Sequence, residues 1–207
     1  MIGFRLLTVV MLAGLLEAER RDSQPGKWLT KPLASAGFLG AAWMAGAGQS
    51  NYGRLVVLAL GLCWVGDVLL IPARNGAVFR AGIASFLLGH VAFAAAFVVR
   101  GVSAVPLAGA LLLLTVPALL VGRWLYPKLP PDMRVPVLAY IAVISLMVAL
   151  AAATHLAAPA PPLLLGAVLF YLSDLSVARD RFVAPSFLNR LWGLPAYYAA
   201  QHLLATL

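Results

Sequence analysis

Charge is scarce in this 207-residue chain: fifteen Lys and Arg and seven Asp and Glu make up only 11% of it. Soluble domains carry roughly a quarter charged residues, so a soluble fold is excluded. Cysteine is nearly absent, and a lone Cys63 excludes an internal disulfide. There is no Gly-x-Ser-x-Gly elbow, no His-Glu-x-x-His, no phosphate loop and no cysteine pair. Serine hydrolases, zinc proteases and ATP-driven pumps therefore lack their signatures here. Apolar residues are abundant, at 63%, with a mean hydropathy of +0.95. The composition is that of a membrane protein. Fourteen prolines and eighteen glycines fit, because membrane helices tolerate both. The net charge of +8 is no nucleic-acid signal, since the basic residues are scattered between apolar runs.

Apolar runs long enough to cross a bilayer cover about 3–18, 32–50, 55–73, 81–99, 103–122, 135–154, 160–178 and 191–207. They predict an all-α polytopic bundle of about eight transmembrane helices. The connections leave no room for a soluble domain, so 1–207 reads as one integral membrane domain. The first run is expected to be a retained helix, a cleaved signal peptide being its rival. On one side of the predicted membrane lie Arg20, Arg21, Lys27, Lys31, Arg74, Arg80, Arg123, Lys128, Arg134, Arg179, Arg181 and Arg190; on the other lie Arg5, Arg54 and Arg100. Positive connections stay cytoplasmic, which predicts both termini outside. The expected location is a bacterial inner membrane.

A weak internal echo accompanies this pattern. Trp64-Val-Gly-Asp67-Val resembles Tyr171-Leu-Ser-Asp174-Leu, and the two aspartates stand 107 residues apart, about half the chain. Lys31-Pro32 similarly echoes Val135-Pro136. Two four-helix halves, 1–100 and 101–207, produce such a pattern; chance likeness between apolar segments is the alternative.

Five acids (Glu17, Glu19, Asp22, Asp132, Asp180) fall in predicted connections and are expected to be simply solvated. Asp67 and Asp174 sit inside apolar runs, each a turn or two from the cytoplasmic end. An ionisable group at that depth is costly and marks a functional site by default. Two carboxyl groups sharing one apolar cavity adopt different protonation states, supplying a general acid and a general base. Lys31 is expected to open the second helix on the same face, as a snorkelling lysine or a counter-charge for a carboxylate or lipid phosphate. His90 falls mid-helix, and Tyr140 near the start of the sixth. Tyr197, Tyr198, Gln201 and His202 spread polarity along the eighth, with Gln201 expected to face the bundle. For His90 and Gln201, helix–helix hydrogen bonding competes with a place in the site; for Tyr140 the rival is an interfacial anchor. His155 carries no role.

The segments Lys31-Pro32-Leu33, Gly66-Asp67-Val68-Leu69-Leu70, Phe86-Leu-Leu-Gly-His90-Val-Ala-Phe93, Pro136-Val-Leu-Ala-Tyr140, Phe170-Tyr-Leu-Ser173-Asp174 and Leu194-Pro-Ala-Tyr197-Tyr198-Ala-Ala-Gln201 resemble, in order, the YhhN family. That family includes the animal lysoplasmalogenases. The resemblance implies a lysophospholipid substrate and cleavage of its vinyl ether to a fatty aldehyde and glycerophosphoethanolamine or glycerophosphocholine. It carries over Asp67 and Asp174 as catalytic, with Lys31 and His90 of less defined role; Tyr140, Tyr197 and Gln201 join these as substrate-binding candidates. Acid–base cleavage of this kind needs no metal and no cofactor. The expected partners are the lysophospholipid and the bilayer, without nucleic acid. A transporter or binder of lipid or small solute, and a structural membrane protein with hydrogen-bonded acids, are the rival readings.

Overall fold

The structure is a computed structural model and describes residues 1–72 and 76–206. Eight α-helices fill it: α1 (Ile2–Arg20), α2 (Gln24–Met44), α3 (Asn51–Leu69), α4 (Gly76–Arg100), α5 (Ala104–Leu125), α6 (Pro131–Ala157), α7 (Pro161–Phe182) and α8 (Phe187–Ala205). They follow the eight apolar runs in number and order, and no strand occurs among the described residues. By length and composition α3, α4, α5, α6 and α7 are apolar enough to cross a membrane. The helices α1, α2 and α8 carry more polar residues and fall short of that measure. Arg74 and Leu207 lie outside the described residues.

Several helix ends depart from the sequence reading: α2, α6 and α8 begin earlier on the charged face, while α3 stops short of it at Leu69. The second helix starts at Gln24, not at residue 32. Ser23 Oγ accepts the Gly26 N–H at 3.3 Å, and Pro25 occupies the first turn, where no backbone donor is required. Lys31-Pro32 is therefore not a helix start; both lie two turns inside α2. Likewise α6 starts at Pro131 and α8 at Phe187, each four residues early. Tyr140 thus sits ~13 Å along its helix at 1.5 Å per residue. The acids expected to be merely solvated are also placed differently. Glu19 is nearly buried, with Lys27 Nζ at 3.2 Å and Arg190 Nη1 at 2.8 Å. Asp180 faces Arg190 Nη2 at 3.1 Å. Lysines and acids that satisfy one another need not end a helix, which is why charge misplaced these boundaries.

Six helices pack as a ring in the order α2, α3, α4, α6, α7, α8, with α8 closing against α2. Outside it, α1 lies in the groove between α2 and α8, while α5 leans on α6. Close approach rests on small residues, as expected where lipid gives helices no hydrophobic drive to associate. A Cβ at Gly37 would stand 2.0 Å from Thr8 Oγ1, so α1 meets α2 over a bare backbone. Thr8 uses this contact to donate to the Ala34 carbonyl at 2.9 Å. At Gly193 a Cβ would meet Ser176 Oγ at 1.8 Å, giving α7 and α8 the same kind of seam.

Candidate active site

A cavity of about 540 Å³ opens inside the ring at the end where α3 stops and α2 begins. Asp67 lies in the last turn of α3, and α3 ends at Leu69 while its neighbours run on. That early stop leaves space below the carboxyl. Asp67, Asp174, Lys31, Tyr140 and Tyr197 all line this cavity.

Asp67 is buried and surrounded by donors. Its Oδ2 accepts the Tyr197 hydroxyl at 2.6 Å and the Ser35 hydroxyl at 2.7 Å, and Lys31 Nζ stands 3.3 Å from Oδ1. Ser35 is four residues after Lys31, so both reach one face of α2. Tyr198 supports them from behind, its hydroxyl 3.2 Å from Ser35 Oγ. Two hydroxyls and an ammonium satisfy a carboxylate anion, the form with the most acceptor sites.

Asp174 has a different setting. Its Oδ2 accepts the Tyr140 hydroxyl at 2.7 Å, and His90 Nε2 faces the same oxygen at 3.3 Å without hydrogen-bond alignment. The other ring nitrogen, Nδ1, is 2.6 Å from the Phe86 carbonyl. A carbonyl only accepts, so Nδ1 carries hydrogen and Nε2 is the atom left to trade a proton with Asp174. The imidazole is fixed by Phe170 at 4.3 Å and Tyr140 at 5.2 Å between ring centroids. His90 is thus behind Asp174, not on the cavity wall.

Each carboxyl is served by both halves of the chain. Asp67 on α3 meets α2 and, from the other half, Tyr197 of α8. Asp174 on α7 meets α6 and, from the other half, His90 of α4. His90 and Tyr197 are separated by the same 107 residues as the aspartates. Gln201 faces the interior as expected but does not line the cavity. It is fully buried beside the Cys63 thiol, and neither amide atom has a hydrogen-bond partner among the described residues. His202 points away, 2.9 Å from Thr8 Oγ1.

Sequence reasoning missed Ser35 and the cavity's mouth. Asp22, Lys27, Glu19, Arg190 and Asp180 form an alternating chain of ion pairs there, tying the ends of α1, α2, α7 and α8 together. The opposite wall is apolar, built from Phe79, Ile83, Val121, Leu125, Val137 and Ile141. The cavity therefore has a charged side, an apolar side and two carboxyl groups.

Fold and site define a helical integral membrane protein with a carboxyl-bearing amphipathic cavity. The chain belongs to the YhhN family, whose model matches residues 26–207. It is similar to a Bos taurus protein described as Lysoplasmalogenase TMEM86A, with 34% identity over 152 residues. That alignment covers 68% of this chain and 59% of the relative, so the chain spans less than two thirds of the relative's length. No solved structure matches.

Proposed function

We propose that this chain is an ether-bond hydrolase that cleaves the vinyl ether of a lysoplasmalogen, with Asp67 and Asp174 as the catalytic pair. One observation carries the reading: two carboxyl groups, each accepting a tyrosine hydroxyl and one with an ammonium, the other with an imidazole beside it, line one amphipathic cavity. The charged mouth takes the phosphoethanolamine or phosphocholine headgroup and the apolar wall takes the single chain. In this reading all eight helices span the bilayer as one domain, and the halves 1–100 and 101–207 are repeats that brought two carboxyls to one depth.

Asp174 takes the acid role, with the His90 imidazole beside it, and delivers a proton to the vinyl ether's β-carbon. The resulting oxocarbenium ion is stabilised by the Asp67 carboxylate, which removes a proton from the water that adds to it. The hemiacetal then collapses. Asp67 returns its proton to the departing ether oxygen, Asp174 regains one from the hemiacetal hydroxyl, and both groups are reset. The net change is addition of one water and release of aldehyde and glycerophospho-alcohol. Lys31, Tyr140 and Tyr197 hold the carboxyls in place, and Gln201 packs in the bundle interior away from the cavity.

The test is aldehyde release by purified protein from a defined lysoplasmalogen in vesicles. Asp67→Asn and Asp174→Asn are near-isosteric and should each cost roughly 10²–10⁴-fold in turnover. Their combination should cost little more, because groups acting as one unit are non-additive. Full activity in either folded variant would remove that aspartate from the mechanism. Absence of aldehyde from the unmodified protein would favour a lipid binder or transporter.

A further inference from the structure

Val121, Ala118, Leu114 and Leu111 fall three and four residues apart, on one face of α5. Val121 lines the carboxyl-bearing cavity. The other three line a second cavity of about 220 Å³ between α5 and α6. On α6 the two sets lie side by side: Ile141 and Ile144 line the first cavity, and Ala142 and Ser145 the second, on adjacent faces of the helix. On α5 the two spaces adjoin, the small Ala118 of the second standing one turn from Val121 of the first.

We infer that the α5–α6 seam is a hydrocarbon-chain subsite continuous with the carboxyl cavity, and that Ala118 sets how long a chain can pass. The walls of the second space are apolar apart from Thr115 and Ser145, and Thr115 spends its hydroxyl on the Leu111 carbonyl at 2.8 Å. From Val121 to Leu111 the face runs ~15 Å at 1.5 Å per residue, a length suited to an extended chain. The α5 helix can yield without opening the ring. It packs along α6 and makes no comparable seam with another helix among the described residues. Leu125, in its last turn, is its one buried residue. Pro117 also removes one of its backbone hydrogen bonds.

The inference rests on the lipid substrate proposed above, so its test uses a probe that is not hydrolysed at a vinyl ether. The full chain in phosphatidylcholine vesicles is photolabelled with acyl lysophosphatidylcholine bearing a terminal diazirine. Adducts should concentrate on residues 111–119 and 142–146 and should be competed by unlabelled lysophosphatidylcholine. Ala118→Phe should abolish them, with Ala118→Val giving a partial loss if the larger variant does not fold. Leu120→Phe, on the lipid-facing side of the same turn, should leave them unchanged. Adducts spread over all lipid-facing helices, or unaltered by Ala118→Phe, overturn the subsite. In the hydrolytic assay, Ala118→Phe should lower turnover of long-chain substrates and spare short-chain ones. A protein that releases no aldehyde at all would overturn the hydrolase reading while the labelling pattern still decides the seam.

Discussion

At the residue scale the two aspartates differ in partner chemistry, and the difference predicts how their neighbours behave. Ser35 donates to Asp67 from a buried position, and a hydrogen bond to a charged group is worth about 1.5–3 kcal/mol. Ser35→Ala should therefore lower turnover roughly ten- to a hundredfold, at 1.36 kcal/mol per decade, with KM nearly unchanged. An equal rise in KM with constant turnover would make Ser35 a substrate contact instead. Lys31→Ala should reduce turnover more than binding, because it leaves a buried carboxylate without its ammonium; Lys31→Arg should recover part of the loss. The aspartates were legible in the sequence because a carboxyl within an apolar run has few innocent explanations. Ser35 was not, since a serine in a membrane helix is common and silent. Its only signal was the four-residue spacing from Lys31. The cavity mouth was hidden for a related reason. Glu19 and Asp180 read as ordinary interfacial charges until folding places them against Arg190, and Lys27 until it meets Glu19 and Asp22.

At the element scale the helices were legible from apolar runs alone, and their charged ends were not. Lys27 and Lys31 looked like the edge of a span, yet α2 runs through both because Glu19, Asp22 and Asp67 receive their ammonium groups. Packing depends on residues that periodicity does not reveal. At Gly193 the backbone of α8 rests on Ser176 of α7, and any side chain there must push the helices apart. Gly193→Ala should cost about 1–3 kcal/mol, the usual range for overpacking, read as a lower midpoint of thermal unfolding in detergent. Ser176→Gly in the same chain should restore part of it by removing the atoms that clash. Equal loss in the single and double variants would locate the strain elsewhere. Tyr197 lies one helical turn beyond Gly193, so the single variant should also lower activity by displacing the hydroxyl that holds Asp67.

At the scale of the whole molecule, the charged end of the bundle, the cavity mouth and the two carboxyls all lie on one side. Among the described residues, Arg20, Lys27, Arg80, Lys128, Arg181 and Arg190 cluster where α1, α3, α5 and α7 end and the even-numbered helices begin. Arg5, Arg54 and Arg100 sit at the opposite end. Basic residues near span ends are retained in the cytoplasm, so the mouth should face the cytoplasmic leaflet and both termini should face outward. Under the proposed function that orientation also decides where substrate comes from, since a lysolipid would then reach the mouth from the inner leaflet without crossing the bilayer. Lys128→Cys and Asn51→Cys, each in a Cys63→Ala background, place a single thiol at opposite ends of the molecule. A membrane-impermeant thiol reagent should label residue 51 in intact cells with a permeable outer layer, and residue 128 only in inverted membrane vesicles. A reporter fused at the C-terminus should be active outside the cytoplasm. Labelling of residue 128 in intact cells would reverse the orientation and move the supply of substrate to the outer leaflet, while leaving the geometry of the carboxyl pair untouched.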